Sequence, residues 1–173
     1  QPVAPGMVIE NDTAELRELR RDLIDMLFVE GNHFCMVCAK SGNCELQALA
    51  YRFGITAPKY PFAFPQRVRD ASHSAIVLDR DRCVLCARCV RASRSLDGKA
   101  VFGFEGRGPG KCIAVNAAEG LVATDADAAD RAVAACPTGA LMEKRVGFAV
   151  PVGRRLFDRA PIGSETEPPA AEK

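Results

Sequence analysis

The 173-residue chain has only two histidines, no long apolar run and no excess of charge of either sign. Its 23 basic and 22 acidic side chains give a formal net charge of +1, which favours neither nucleic acid nor an anionic membrane as a partner. No stretch approaches the roughly eighteen apolar residues of a membrane span. No charged segment followed by an apolar one opens the chain, so a secretory signal is not indicated. We therefore expect a cytoplasmic protein.

The sequence also lacks the patterns of a substrate-converting site. Residues 106–110 (GRGPG) are typical of a turn, because they do not form G-x-G-x-x-G after a strand. No pair of catalytic carboxylates and no nucleophile with its base is evident. We expect no catalytic residue on this chain.

Cysteine is plentiful by comparison. The eight cysteines are Cys35, Cys38, Cys44, Cys83, Cys86, Cys89, Cys112 and Cys136. An even number would suit disulfides in a small secreted protein, but without a secretory signal clustered cysteines are more typical of metal binding.

Apolar spacing predicts a helical, loop-rich first half. A helix is expected over residues 12–30, with a capping box at Asp12 and Glu15 and a left-handed Gly31 at its end. Its apolar face would consist of Leu16, Leu19, Leu23, Ile24 and Leu27. A second helix is expected over residues 44–53.

The second half begins after an extended, proline-rich connector over residues 59–68. Short strands are predicted at the start of 74–83 and within 101–110, 112–116 and 120–124. A helix over 127–136 would end at Pro137. The whole is an α+β fold with a helical unit over 1–66, a ferredoxin-like unit over 67–157 and a tail over 158–173 that is disordered or laid on a partner.

Cys83, Cys86 and Cys89 form the most specific motif, C-x2-C-x2-C. Structural zinc usually takes separated cysteine pairs, whereas this triplet, followed far along by Cys136 and a proline, is typical of a ferredoxin-type 4Fe–4S cluster. Because only one such run exists, Cys136 most simply completes the same cluster. Zinc, or unligated core cysteines, is the alternative. Four nearby arginines would offset the negative charge of this cluster and raise its reduction potential. The alternative is that they form an ordinary solvated basic face. They are Arg82, Arg88, Arg91 and Arg94.

The first cysteine group supplies three thiolates, from Cys35, Cys38 and Cys44. The fourth ligand could be His33 or Cys112. Histidine can replace cysteine on iron, as in Rieske centres, and His33 is local, so we expect His33. Cys112 alternates with apolar residues, which is typical of a buried, inert strand cysteine. The other histidine, His73, has no cysteine neighbours and is expected at the surface.

Three stretches carry a family resemblance: NHFCMVCAKSGNCELQALAYRFGI, RDRCVLCARCVR, and ACPTGALMEKRVGF with PVGRR. They resemble the iron–sulfur subunits shared by respiratory complex I and the NAD-reducing [NiFe]-hydrogenases, over about residues 2–157. The resemblance implies a first 4Fe–4S site on His33, Cys35, Cys38 and Cys44. It implies a second, all-cysteine 4Fe–4S site on Cys83, Cys86, Cys89 and Cys136.

One departure from the complex I pattern indicates which branch of this family the chain resembles more. The complex I pattern has three residues between the histidine and the first cysteine, whereas here only Phe34 intervenes. The shorter gap is similar to the diaphorase iron–sulfur (gamma) subunit of soluble NAD-reducing hydrogenases. That family also carries a plant-type 2Fe–2S domain upstream, with four further cysteines. We expect this domain to be either missing from the chain as given or lost, and a 2Fe–2S cluster only where it is present.

The resemblance implies an electron-transfer subunit between an FMN/NAD(H)-binding diaphorase subunit and the small and large subunits of a [NiFe]-hydrogenase. FMN and the NiFe centre would lie in those partners, and H2 oxidation would be coupled reversibly to NAD+ reduction. An alternative is the iron–sulfur subunit of an NAD-dependent formate dehydrogenase or a complex I-like NADH dehydrogenase. A zinc-binding interaction module is the alternative from a different class.

Overall fold

Two helices form the first half of the chain in the computed structural model, which describes residues 2–162. Helix α1 spans Ala14–Glu30 and α2 spans Glu45–Arg52. Ile24 and Phe28 of α1 pack against Leu46 and Ala50 of α2, with Ile55 closing this core. The connector that follows has no helix or strand before Arg69, as the prolines predict.

Helix α1 ends at Glu30 as predicted, but it begins two residues later, and both of its caps differ from the prediction. Its N-cap is Thr13, whose Oγ1 accepts the Leu16 N–H at 3.2 Å, while Asp12 forms an ion pair with Arg17 instead. Gly31 is extended, with φ −112°, and is not left-handed. The glycine is needed for space, because a Cβ there would lie 2.7 Å from His33 Nε2.

The apolar face of α1 was also predicted too broadly. Leu19 and Leu23 are 53% and 59% exposed, since the helix presents Ile24, Phe28 and Val29 to the core.

Two small antiparallel sheets form the second half. One has the order β1-β2-β5, formed by Arg69–Asp70, Ile76–Asp79 and Leu141–Glu143, and the other pairs β3 (Phe102–Glu105) with β4 (Cys112–Val115). Leu78 lies opposite Leu141 and both are almost fully buried. Helix α3 spans Arg88–Ser95 and α4 spans Arg131–Ala134. These elements surround a second core that includes Ile76, Ile113 and Leu121.

The strand predicted over 120–124 is wrong. Leu121–Ala123 form a single 3-10 turn. Asp70 Oδ2 accepts the Leu121 N–H at 2.8 Å and Ser72 Oγ accepts the Val122 N–H at 3.0 Å, so side chains take the donors that a strand would use. Helix α3 and the strands β1 and β5 were not predicted, and the helix predicted over 127–136 is shorter, since α4 spans only Arg131–Ala134.

The predicted tail boundary at 158 falls inside helix α5, Leu156–Arg159. This helix is anchored to the first half, since the Phe157 N–H donates to Gly42 O and the Leu156 N–H to Asn43 Oδ1. The rest of the predicted tail, 163–173, lies outside the described residues. Within residues 2–162 no helix has the length and apolarity needed to cross a membrane.

Candidate metal centres

The first predicted ligand set lines one small cavity. His33, Cys35, Cys38 and Cys44 all contribute to its wall. His33 lies on the loop that leaves α1, Cys35 opens a 3-10 turn (Cys35–Val37), and Cys44 is the N-cap of α2. The short loop between the two helices thus brings together four side chains of the kinds that bind iron in such clusters.

His33 has the properties of an available ligand. Its Nε2 is buried and has no hydrogen-bond partner among the described residues. Burial, and then the nearby charge of Arg82, lower the pKa of His33 to about 4, so the imidazole is neutral at neutral pH. Since only neutral imidazole binds metal, this buried and unpaired nitrogen fits an iron ligand.

The thiols of this set lie within electrostatic reach of one another. Burial raises the pKa of Cys44 to about 11, with smaller contributions from Cys38 and Cys35. Burial, followed by the Cys38 thiol, raises the pKa of Cys35. Without metal the thiols of Cys35 and Cys44 stay protonated, so a cation must displace their protons to bind.

The second set is built on a strained loop. Leu85 and Ala87, between the cysteines of the triplet, have φ of +53° and +62°. Such left-handed conformations are uncommon for residues other than glycine and persist where the surroundings impose them. The Leu85 N–H points at Cys83 Sγ, 3.4 Å away. Ala87 is the N-cap of α3, so the triplet occupies the loop and the first turn of this helix.

Cys136 comes to the triplet from a distant part of the chain. It is buried just beyond α4, and the Leu141 N–H donates to its Sγ at 3.4 Å. Burial raises the pKa of Cys83 to about 11 and that of Cys89 to about 12, and Cys136 is the nearby thiol with the largest further effect on both. The structure therefore brings Cys136 to the triplet. Ligation by these four residues stays a prediction.

No group of three or more His, Cys, Asp or Glu side chains in residues 2–162 is arranged to hold a single metal ion. One zinc ion with Zn–S bonds of about 2.3 Å draws its thiolates close together.

Cys112 lies away from the first cavity. It is on β4 opposite Glu105, with Sγ 3.2 Å from the Glu105 carboxylate, and it lines a separate surface groove. It is half-buried, which corrects the expectation of a fully buried cysteine. His73 is also half-buried, and its Nδ1 accepts the N–H groups of Ala75 and Ile76. This turn-forming role was not predicted.

Of the four arginines, Arg82 was assigned to the wrong set. Its Nη1 donates to Cys38 Sγ at 3.5 Å, in the first set. Arg88 forms a two-pronged ion pair with Glu45 at 2.5 and 2.8 Å and lies near Cys86 and Cys136.

Two family descriptions match consecutive parts of the chain. Residues 20–59 match the NADH-ubiquinone oxidoreductase-G iron-sulfur binding region, and residues 76–142 match a 4Fe–4S single cluster domain. The first match includes His33, Cys35, Cys38 and Cys44, and the second includes Cys83, Cys86, Cys89 and Cys136.

Similar proteins come from hydrogenases. The HoxS gamma subunit of the NAD-reducing hydrogenase of Cupriavidus necator is 41% identical over 157 residues, covering 90% of this chain and 67% of that protein. The NADP-reducing hydrogenase subunit HndD of Solidesulfovibrio fructosivorans is 34% identical over 142 residues, covering 82% and 24%. The crystal structure of an NAD+-reducing [NiFe]-hydrogenase in the H2-reduced state contains a chain that is 46% identical, with a TM-score of 0.88, and the match covers 92% of this chain and 68% of that one. This chain thus spans about two thirds of the length of the HoxS protein and a quarter of that of HndD.

Proposed function

The chain belongs to the family of the NAD-reducing hydrogenase gamma subunits, and from that premise we propose that it is an electron-transfer subunit with two 4Fe–4S clusters. His33, Cys35, Cys38 and Cys44 would hold the first cluster. Cys83, Cys86, Cys89 and Cys136 would hold the second. When bound, each cluster accepts and releases one electron at a time.

The observation that carries the proposal is the buried, unpaired Nε2 of His33, a residue that lines one cavity together with three cysteines. A buried imidazole nitrogen without a partner is costly unless something binds it. The neutral state of His33 and the surrounding thiols suit iron. A cytoplasmic location is part of the proposal, because cysteines that bind metal instead of forming disulfides are typical of reducing compartments.

The chain's own residues hold and shield the two sites. Phe28 packs edge-on against the His33 ring, with centroids 5.7 Å apart, and limits its rotation. Cys44, Cys89 and Cys136 are buried, so water is kept from these three thiolates, whereas Cys86 is exposed. Low solvent access is one of the protein's means of setting cluster potentials.

The partners we propose are an FMN/NAD(H)-binding diaphorase subunit and the small and large subunits of a [NiFe]-hydrogenase. FMN and the NiFe centre would belong to those subunits, and this chain would pass electrons between them. Copurification of a nickel-containing subunit would support the hydrogenase assignment. A molybdenum- or tungsten-containing formate dehydrogenase in its place would contradict it.

The experiment that tests the clusters is a count of iron, acid-labile sulfide and zinc in anaerobically purified protein. About eight irons and eight sulfides per chain are expected. About ten irons would indicate an additional 2Fe–2S domain in the protein used. About two zinc ions without sulfide would overturn the proposal in favour of a zinc-binding module.

A further inference from the structure

Arg82 belongs to one cysteine set by sequence and to the other by contact. It directly precedes Cys83 of the second set. Its guanidinium lines the cavity of the first set and donates from Nη1 to Cys38 Sγ at 3.5 Å. A positive charge therefore lies beside one thiol of the first set, although the chain reaches it from the second.

The guanidinium is held in this position by several contacts. Its Nε lies 3.3 Å from Oδ2 of Asp79, which is itself buried, and the Arg82 side chain is only 18% exposed. The Arg82 carbonyl accepts the Thr138 hydroxyl at 2.7 Å. Gly139 leaves the room for this arrangement, because a Cβ there would lie 3.0 Å from Cys38 Sγ and 3.5 Å from Arg82 Cδ.

A fixed cation at a cluster thiolate favours the more negative, reduced state of the cluster. Hydrogen bonds to cluster sulfur act in the same direction. The planar guanidinium of Arg82 can donate to Cys38 Sγ and to Asp79 together.

We propose that Arg82 is a positioning residue that raises the reduction potential of the first cluster through its charge and its hydrogen bond to Cys38 Sγ. This inference rests on the two-cluster function proposed above. The reaction it affects is the addition of one electron to the first cluster, and the bonds of the protein do not change. In the test below the electron comes from a chemical reductant.

The test is a redox titration of the purified complex, followed by the EPR signal of each cluster separately. In Arg82→Gln we expect the reduced-to-oxidised ratio of the first cluster to fall about tenfold at a fixed potential, equivalent to ~59 mV for a one-electron couple. The second cluster should change much less. Arg69→Gln is the matched control, because Arg69 also pairs with Asp79, at 2.7 Å, and none of its hydrogen bonds within residues 2–162 is to a cysteine.

An unchanged ratio in Arg82→Gln would overturn the proposal, and so would an equal shift of both clusters or the same shift in Arg69→Gln. Arg82→Lys keeps the charge but not the planar donor, and we expect a smaller fall of about threefold. If Arg82→Gln does not bind the first cluster, the test uses Arg82→Lys instead. An unchanged reduced-to-oxidised ratio in Arg82→Lys would then contradict the proposed effect of the hydrogen bond to Cys38 Sγ. If the proposed two-cluster function were itself wrong, the result would look different, because the wild-type protein would then lack the EPR signals of the two clusters.

Discussion

His33 and Cys112 compete for the fourth position of the first set. Sequence reasoning favoured His33 because it is local, but it had no means of showing whether the ring nitrogen was already paired. The structure supplies that information, since Nε2 is buried without a partner among the described residues and Cys112 lies on β4 beside Glu105. Pairing of a buried atom depends on tertiary contacts, so the sequence alone does not reveal it.

Replacing His33 with alanine should remove the first cluster and spare the second. The variant loses the only ligand of this set that is not a thiolate, and three thiolates leave one iron without a protein ligand. We expect iron content to fall by about four per chain, measured on anaerobically purified protein with an EPR spectrum of the remaining cluster.

Cys112→Ser is the control for that experiment. It changes a cysteine outside both sets and should leave iron content and both spectra as in the wild type. Loss of one cluster in Cys112→Ser, together with full occupancy in His33→Ala, would make Cys112 the fourth ligand instead.

The lowered pKa of His33 predicts how the first cluster responds to acid. Because the pKa of His33 is lowered, its neutral form, which alone binds iron, persists at pH values below the ordinary pKa of 6.5. The neutral form is lost as the pH falls through about 4. His33 should therefore cause no loss of the first cluster between pH 7 and pH 5 and should contribute to its loss only near pH 4, in addition to the competition of protons for the thiolates. EPR spectra after incubation at each pH would measure this. A loss centred near pH 6.5 would show that His33 titrates as an exposed imidazole.

At the scale of elements, the loop after Cys136 links the two sites through Gly139. The φ of Gly139 is not in the left-handed region, so alanine brings no backbone strain there. Its Cβ would nevertheless lie 3.0 Å from Cys38 Sγ and 3.3 Å from Lys40 Cβ. Gly139→Ala should therefore disturb the first cluster, although Gly139 lies beside the second set in sequence.

We expect Gly139→Ala to lower first-cluster occupancy, or to alter its EPR spectrum, with the second cluster less affected. Gly103→Ala on β3 is the matched control, because a Cβ there meets nothing within 4 Å. Equal spectra in the two variants would mean that the loop moves aside freely.

The elements show where sequence reasoning succeeds and where it fails. The helices α1 and α2 and the strands β2, β3 and β4 were predicted because their apolar patterns are local. Helix α3 was missed, since its sequence RCVRASRS has one apolar residue besides its cysteine and alanine and overlaps the C-x2-C-x2-C motif at Cys89. The turn at 121–123 was mistaken for a strand, because Asp70, some fifty residues away, takes the Leu121 N–H.

At the scale of the whole molecule, the two cysteine groups were foreseen but their junction was not. The Glu45 N–H donates to Pro137 O at 2.9 Å. Glu45 directly follows Cys44 of the first set, and Pro137 directly follows Cys136 of the second. One hydrogen bond thus joins the peptides that follow two proposed ligands, Cys44 and Cys136, which are 92 positions apart in the sequence. The Arg88–Glu45 ion pair spans the same junction.

This junction can be tested by removing a single backbone donor. Glu45 is the first residue of α2, where proline is well tolerated, and Cys44 before it is already extended, with φ −103° and ψ 120°. Glu45→Pro therefore deletes the N–H with little cost to the helix, but leaves Pro137 O unpaired, at about 1–3 kcal/mol. We expect weaker magnetic coupling between the two reduced clusters, measured as a smaller splitting in the EPR spectrum of the fully reduced protein.

Glu45→Ala separates this effect from loss of the ion pair to Arg88, because it removes the carboxylate and keeps the N–H. If both variants gave the same coupling as the wild type, the Glu45–Pro137 hydrogen bond would not set the spacing of the clusters. The contact that fixes the two halves would then lie elsewhere, and the hydrogen bond from Thr138 to the Arg82 carbonyl would be the next to remove.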